Sequence, residues 1–272
     1  MDFSSWIGNS ITRYDTITPR MVDHFRDTLE PYCFAGQQVP PGIFWCLAPD
    51  VVSADKLGAD GHPKLGGFLP EIPYERRMWA GGWLEFHGEF EVGAVVNKTS
   101  RIDDITFKSG RSGNLCFIAV MHEFYVSNKI VLRERHDVVY REVVTPSIPQ
   151  PTLVDHAVST HHWNVEVNPV MLFRYSALTF NGHRIHYDLP YATAVEGYEG
   201  LLVHGPLQAT LMLNLASQIT GQQPQRMSYR GVRPLVCGDP IVVEAEPSEK
   251  GGLNCCVKAA NGAVTMTAEV SL

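Results

Sequence analysis

The sequence predicts an α+β protein in which one plan is used twice: a long helix lies in the concavity of a curved antiparallel sheet. Three observations predict it. Each half of the 272-residue chain carries a helical pattern followed by a series of strand-like runs. A proline-rich segment, Thr145-Pro146-Ser147-Ile148-Pro149-Gln150-Pro151, separates the two series; prolines this dense continue neither a helix nor a strand. Hydrophobic residues make up 44% of the chain and charged residues 19%, which suits a chain with room for two ordinary cores. The expected division is residues 1–144, a linker at 145–160, and residues 161–272.

In the first half, Thr18 caps a helix with Pro19 at its first position, and Met21, Val22, Phe25 and Leu29 fall on one face. Pro31 ends it. Gly42 to Ala48 reads as a short buried helix. Leu57 to Pro73 is a long Gly/Pro-rich loop, and long loops in compact folds are often functional. Strand texture begins at Arg76 and runs through 82–90, 95–105, 115–125 and 129–140, with turns at Gly110, Gly113 and Ser127-Asn128.

In the second half, Asn164 to Phe173 reads as the leading strand. Val203 to Ile219 reads as an amphipathic helix, with Leu207, Leu211, Leu215 and Ile219 one turn apart and Gly221 beyond its end. Strands are expected at 226–235, 241–245, 253–259 and 263–270. Cys237-Gly238-Asp239-Pro240 and Asn261-Gly262 supply turns.

The totals exclude several classes. A net charge of −7 argues against a nucleic-acid partner. No stretch approaches the ~20 apolar residues of a membrane span. The N-terminal residues lack a signal peptide's basic start and apolar run. The six cysteines have no metal-ligand spacing, and their expected state is free thiols in a reducing, cytoplasmic setting. Neither a Walker A sequence nor Gly-x-Gly-x-x-Gly occurs, and no serine sits in a Gly-x-Ser-x-Gly elbow.

Chemistry concentrates in the run Phe173 to Asp188. Asn181, His183, Arg184 and His186 place an amide, two imidazoles and a guanidinium within six residues. His186 is the candidate base, with Tyr187-Asp188 beside it to orient the ring. Asn181 can hold a water through donor and acceptor but cannot take a proton. His183 and His186 lack a third ligand at a supporting spacing, so no metal is expected. His204-Gly205-Pro206 opens the long helix. Glycine there admits a carbonyl close to bare N–H groups at the positive end of the helix. Arg76, Arg77, Arg230 and Arg233 are candidates for phosphate or carboxylate contacts.

These residues carry a resemblance. Phe173–Asp188, Glu196-Gly197-Tyr198 and Leu202–Leu207 resemble the C-terminal half of the MaoC-like double hot-dog hydratases and dehydratases. That family's usual Gly-Asp-x-Asn-Pro-Leu-His has Asn181 in its aspartate slot and His186 in its histidine slot. The departure matches the branch of itaconyl-CoA and mesaconyl-C4-CoA hydratases and mitochondrial-type 3-hydroxyacyl-thioester dehydratases. Arg76-Arg77-Met78-Trp79-Ala80-Gly81-Gly82 in the first half resembles the same branch.

The resemblance implies a double hot-dog in which the first half forms the acyl pocket and the second catalyses. It implies reversible addition of water to an enoyl-type thioester, with itaconyl-CoA or mesaconyl-C4-CoA giving citramalyl-CoA as the favoured case. A 3-hydroxyacyl-ACP or -CoA dehydratase of fatty-acid metabolism and a non-catalytic acyl-CoA-binding protein are the alternatives. Asn181, His186 and Gly205 would be catalytic. His183, Arg184, Tyr175, His204, Arg76, Arg77, Arg230 and Arg233 would contact substrate. No cofactor is expected beyond the coenzyme A of the substrate, and either a monomer or a homodimer satisfies the fold.

Overall fold

The structure, a computed structural model, describes residues 3–74, 76–110, 113–142 and 159–272. The linker expected at 145–160 lies almost wholly outside the described residues. The first half contributes β1 (Ser10–Thr16), α1 (Pro19–Leu29), β2 (Arg76–Phe86), β3 (Val95–Gly110), β4 (Gly113–Val126) and β5 (Lys129–Arg141). The second contributes β6 (His161–Val165), α2 (Pro169–Thr179), α3 (Gly205–Thr220), β7 (Arg226–Gly231), β8 (Ile241–Pro247), β9 (Leu253–Lys258) and β10 (Val264–Ser271). All strands join one antiparallel sheet in the order β1-β3-β4-β5-β2-β7-β10-β9-β8-β6. The halves meet where Gly81 to Glu85 of β2 pair with Arg230 to Arg226 of β7.

Local chemistry sets the element ends. The Thr18 hydroxyl accepts the Met21 N–H at 3.2 Å, which starts α1. Ser127 and Asn128 both take positive φ, the geometry of a tight hairpin between β4 and β5. Asn168 accepts the Met171 N–H at 3.0 Å ahead of Pro169 and so starts α2. The strand expected over 164–173 therefore stops at Val165, and residues 169–173 are helix.

α3 departs from the expected amphipathic pattern. Every side chain from Leu207 to Ser217 is buried. Its polar groups are matched: Gln208 accepts from the Thr265 hydroxyl at 2.8 Å, and Asn214 donates to Pro41 O and accepts the Phe34 N–H, each at 2.9 Å. The side of α3 away from its own sheet is thus covered by the first half. Gly42, at the start of the single 3-10 turn Ile43–Cys46, fits so closely that a Cβ there would lie 2.9 Å from Thr210 Cγ2.

The long helix expected in the first half is correspondingly reduced. Residues 43–46 form one buried 3-10 turn, and α1 packs chiefly against α2. The main apolar core consequently runs through both halves, from Phe25, Phe44 and Phe124 to Leu211, Leu215 and Val257. A smaller cluster of Ile185, Tyr191, Ala192 and Leu202 underlies the segment between α2 and α3.

Candidate active site

α2 ends at Phe180, whose left-handed conformation turns the chain sharply toward α3. A 3-10 turn at Arg184–His186 and a π-helical turn at Tyr191–Val195 follow. His186 is 7% exposed. Its Nδ1 lies 2.8 Å from Leu202 O. A carbonyl only accepts, so Nδ1 carries the proton and Nε2 keeps the lone pair. Burial drives the pKa of His186 down, to about 4, against the opposing pull of the Leu202 carbonyl. The ring is therefore a neutral base at physiological pH. The Leu202 carbonyl, rather than Asp188, orients it. Asp188 instead takes the Arg184 guanidinium at 2.8 Å and the Tyr191 N–H at 3.1 Å.

His186 stacks on His204 with ring centroids 3.6 Å apart. His204 is 1% exposed, with Tyr175 on another side at 5.1 Å. Its Nε2 lies 2.8 Å from Ser176 Oγ, and its Nδ1 is buried with no partner among the described residues. Tyr175 is buried, with its hydroxyl 3.1 Å from Thr210 Oγ1. Both residues are buried. They form the stack on which the base rests.

Gly205 is the first residue of α3, so its N–H has no acceptor within the helix. A Cβ on Gly205 would lie 2.4 Å from Trp79 Cε3. Trp79 is itself held, stacked on Tyr229 at 4.8 Å and edge-on to Trp45 and His136. The first half thus supplies a wall against the helix start.

Asn181 Oδ1 accepts the His183 N–H at 2.9 Å, closing a turn over Gly182. Its carboxamide nitrogen has no hydrogen-bond partner among the described residues. Opposite stands an element that sequence reasoning marked only as a long loop. Asp60 Oδ1 accepts the His62 N–H at 3.0 Å over Gly61, and Asp60 Oδ2 lies 3.0 Å from His62 Nδ1. The two Asx-Gly-His turns abut. A Cβ on Gly61 would lie 2.0 Å from Gly182 O. The His62 and His183 rings are 4.2 Å apart, and His183 and His186 are 5.6 Å apart. Burial and the neighbouring His62 and His186 push His183 down in pKa.

The arginines divide. Arg184 donates to Ala59 O at 3.0 Å and to Asp188, and its guanidinium lies over the Tyr191 ring. These contacts fasten the first-half loop to the second half. Arg76 donates to Glu196 O at 2.8 Å and is likewise a tether. Met227 and Tyr229 of β7 are buried, so by strand alternation Arg230 lies on the opposite, outer face of the sheet. Arg233 is exposed beyond the end of β7. Arg77 differs from these. Its side chain has no hydrogen bond or ion pair among the described residues, and its charge bears on both His62 and His183. Lying two residues from Trp79, it shares that residue's face of β2.

Two groups bring three ligand-type atoms within 4.8 Å of one another: Asp60 with His62 and His183, and His122 with Glu134 and His136. In the second group, the hydrogen bonds run from Ser100 to His122 at 2.7 Å, His122 to His136 at 3.2 Å and His136 to Glu134 at 2.5 Å, with Trp45 Nε1 donating to Glu134 at 2.6 Å. The ring nitrogens are thereby occupied without an ion. This network backs the Trp45–Trp79 wall.

Comparison with known proteins decides the family. The family model for hydroxyacyl-thioester dehydratase type 2 matches residues 42–237. The chain belongs to this family. The chain is 38% identical to the mesaconyl-C(4)-CoA hydratase of Chloroflexus aurantiacus over all of its own length and 98% of that protein's. It is 27% identical to the mitochondrial type 2 hydroxyacyl-thioester dehydratase of Schizosaccharomyces pombe, covering 74% of this chain and 75% of that one. Among solved structures, HtdX of Mycobacterium tuberculosis superposes with a TM-score of 0.70 at 18% identity, covering 96% and 99% of the two chains. A second M. tuberculosis protein, described as having a double hotdog fold, superposes at 0.60 with 13% identity over 97% and 95%. The fold of this chain is therefore the double hot-dog, with its first-half helix cut to one turn.

Proposed function

We propose that the protein is a hydro-lyase that adds water reversibly to an enoyl-type coenzyme A thioester. The observation that carries this reading is the pairing of a buried neutral imidazole, His186, with the open N-terminus of α3 at Gly205. The thioester oxygen accepts from the Gly205 N–H, where enolate charge develops next to the positive helix end. His186 Nε2 takes a proton from the water that attacks the β-carbon. The Asn181 carboxamide nitrogen orients that water. No group beyond the coenzyme A of the substrate enters these steps.

The favoured substrates carry a second carboxylate, mesaconyl-C4-CoA or itaconyl-CoA, giving citramalyl-CoA. Two observations support this. Arg77 is an unpaired guanidinium beside the two imidazoles, suited to a carboxylate. The first-half interior beyond Trp79 carries the buried Glu134 carboxylate, hydrogen-bonded to His136 and Trp45, poor company for a long alkyl tail. The identity to the Chloroflexus hydratase points the same way. Six free cysteines suit a reducing cytoplasm, and among the described residues no helix is long and apolar enough to cross a membrane.

Side-by-side kinetics with mesaconyl-C4-CoA, itaconyl-CoA and crotonyl-CoA test the reading. A kcat/KM preference for the dicarboxylates that vanishes in Arg77→Met supports it. A preference for crotonyl-CoA removes the dicarboxylate assignment, and binding without turnover of any of them removes the hydratase.

A further inference from the structure

The hydratase reading leaves one requirement unmet. Addition of water needs a group that holds the proton between its departure from water and its arrival at the α-carbon. A carboxylate at position 181 could share that work with His186, and an amide cannot. Residues 60–62 and 181–183 form two turns of one shape, each an Asx side chain accepting the backbone N–H of a histidine two residues on. The second half presents Asn-Gly-His and the first half presents Asp-Gly-His. They dock glycine to glycine, with Arg184 N–H donating to Asp60 O at 2.9 Å. A carboxylate is therefore present at the site, delivered by the other half and linked to an imidazole.

We propose that the Asp60–His62 pair is a second acid–base element of this active site, standing in for the carboxylate that Asn181 is not. The inference rests on the hydratase reading and extends it. Asp60 is the positioning residue. Its Oδ2 accepts from His62 Nδ1–H, fixes the tautomer, and leaves Nε2 as the lone-pair nitrogen of a ring packed 4.2 Å from that of His183. Although burial works against the charge, the His62 hydrogen bonds and the nearby His183 hold the Asp60 carboxyl down at about 2, so it is ionised throughout the working range.

The step balances without any co-reactant. One O–H bond of water breaks as His186 Nε2 takes the proton, and the hydroxyl oxygen forms its bond to the β-carbon. The C=C electron pair moves to the thioester oxygen. The proton passes through the His183 imidazole to His62 Nε2, where Asp60 stabilises the imidazolium. It leaves from there to the α-carbon as the enolate collapses. There is no net oxidation or reduction, and the protein ends with the protons it began with. His183 stands between the other two rings, 4.2 Å from His62 and 5.6 Å from His186, and neither of its ring nitrogens has a hydrogen-bond partner among the described residues.

The charged and titratable groups facing His62 are Asp60, His183, Arg77 and Glu196. Burial lowers the pKa of His62 overall; among these groups Asp60 and Glu196 favour its protonation and Arg77 opposes it. Asp60→Asn keeps an acceptor for the His62 N–H but turns an amide nitrogen toward Nδ1. That forces the proton to Nε2 and removes the receiving lone pair.

The experiment measures kcat, KM and the pH profile of mesaconyl-C4-CoA hydration for wild type, Asp60→Asn and His62→Gln, with thermal unfolding of each. The proposal expects kcat to fall about 10²- to 10⁴-fold in both variants, with KM and Tm held and the acid limb of kcat moved to lower pH in Asp60→Asn. Either variant working within about threefold of wild type, or a loss that tracks a fallen Tm with an unmoved pH limb, overturns it. A wild type that hydrates and a His186→Gln protein that does not, beside a fully active His62→Gln, would sink this inference alone. A wild type inert on every enoyl-CoA sinks the hydratase reading first.

Discussion

Gly205→Ala tests how the two halves share the helix start. The added Cβ would lie 2.4 Å from Trp79 Cε3 and 2.9 Å from Cζ3. Ordinary carbon contact begins near 3.5 Å, so about 1 Å of separation must be found. Trp79 cannot supply it freely, because it is stacked on Tyr229 and abuts Trp45 and His136. Overpacking of this kind costs about 1–3 kcal/mol, which for a chain of this size lowers Tm by about 2–10 °C. The larger effect falls on rate. The Gly205 N–H must meet the developing oxyanion, and a displacement near 1 Å at a reacting group costs about 10²-fold. The assay is loss of enoyl-thioester absorbance, with Tm read in parallel. Trp79→Leu in the Gly205→Ala background makes room, so the pair should recover part of the Tm loss as a favourable coupling. An alanine variant with wild-type kcat and Tm would refute the reasoning, as would purely additive effects in the double variant.

Three further outcomes follow from the site's surroundings. Since burial brings His186 to about 4 from an unfolded value near 6.5, the folded state resists its protonation. His186 alone therefore leaves stability unchanged above ~6.5 and lowers it as pH falls through 6.5 toward 4, while kcat/KM in a pH series should keep its plateau well below 6.5. Ser176→Ala removes the hydrogen-bond partner that the buried His204 ring has among the described residues, and chemical denaturation should register about 1–3 kcal/mol, with a smaller fall in kcat as the stack under His186 loosens. Glu134→Ala strips Trp45 and His136 of a buried acceptor, and should cost about 3–5 kcal/mol in the same measurement.

Much of this was legible in the sequence where the signal is local. Thr18-Pro19 and Gly221 mark helix ends by their own chemistry, and the alternation of β2 to β5 follows from burial of one sheet face. The failures have equally definite causes. Asn168-Pro169 is the same start signal as Thr18-Pro19, but the apolar positions around Trp163, Val165 and Val167 read as strand and masked α2. β1 pairs with β3 some eighty-five residues away, and such a partner leaves no mark in a short window. Counting alternation along β7 from Tyr229 would have placed Arg230 on the outer face.

The site was half visible for the same reason. His186 and Gly205 belong to one continuous stretch and could be matched to a motif. Asp60 and His62 sit in a Gly/Pro-rich loop with no periodicity, and only the fold brings them to His183. The recurrence of Asx-Gly-His at 60–62 and 181–183 was the one available sign. Tyr175 and His204 lie within the motif yet work beneath it, because a base needs a surface to rest on as well as a substrate to meet.

The most direct measurement is hydration of mesaconyl-C4-CoA by wild type and by His186→Gln, with Tm and ligand binding checked on both. The account predicts rapid loss of conjugated-thioester absorbance with wild type, and a glutamine variant that folds and binds but turns over at least about 10²-fold more slowly. Undiminished turnover by the glutamine variant would contradict it.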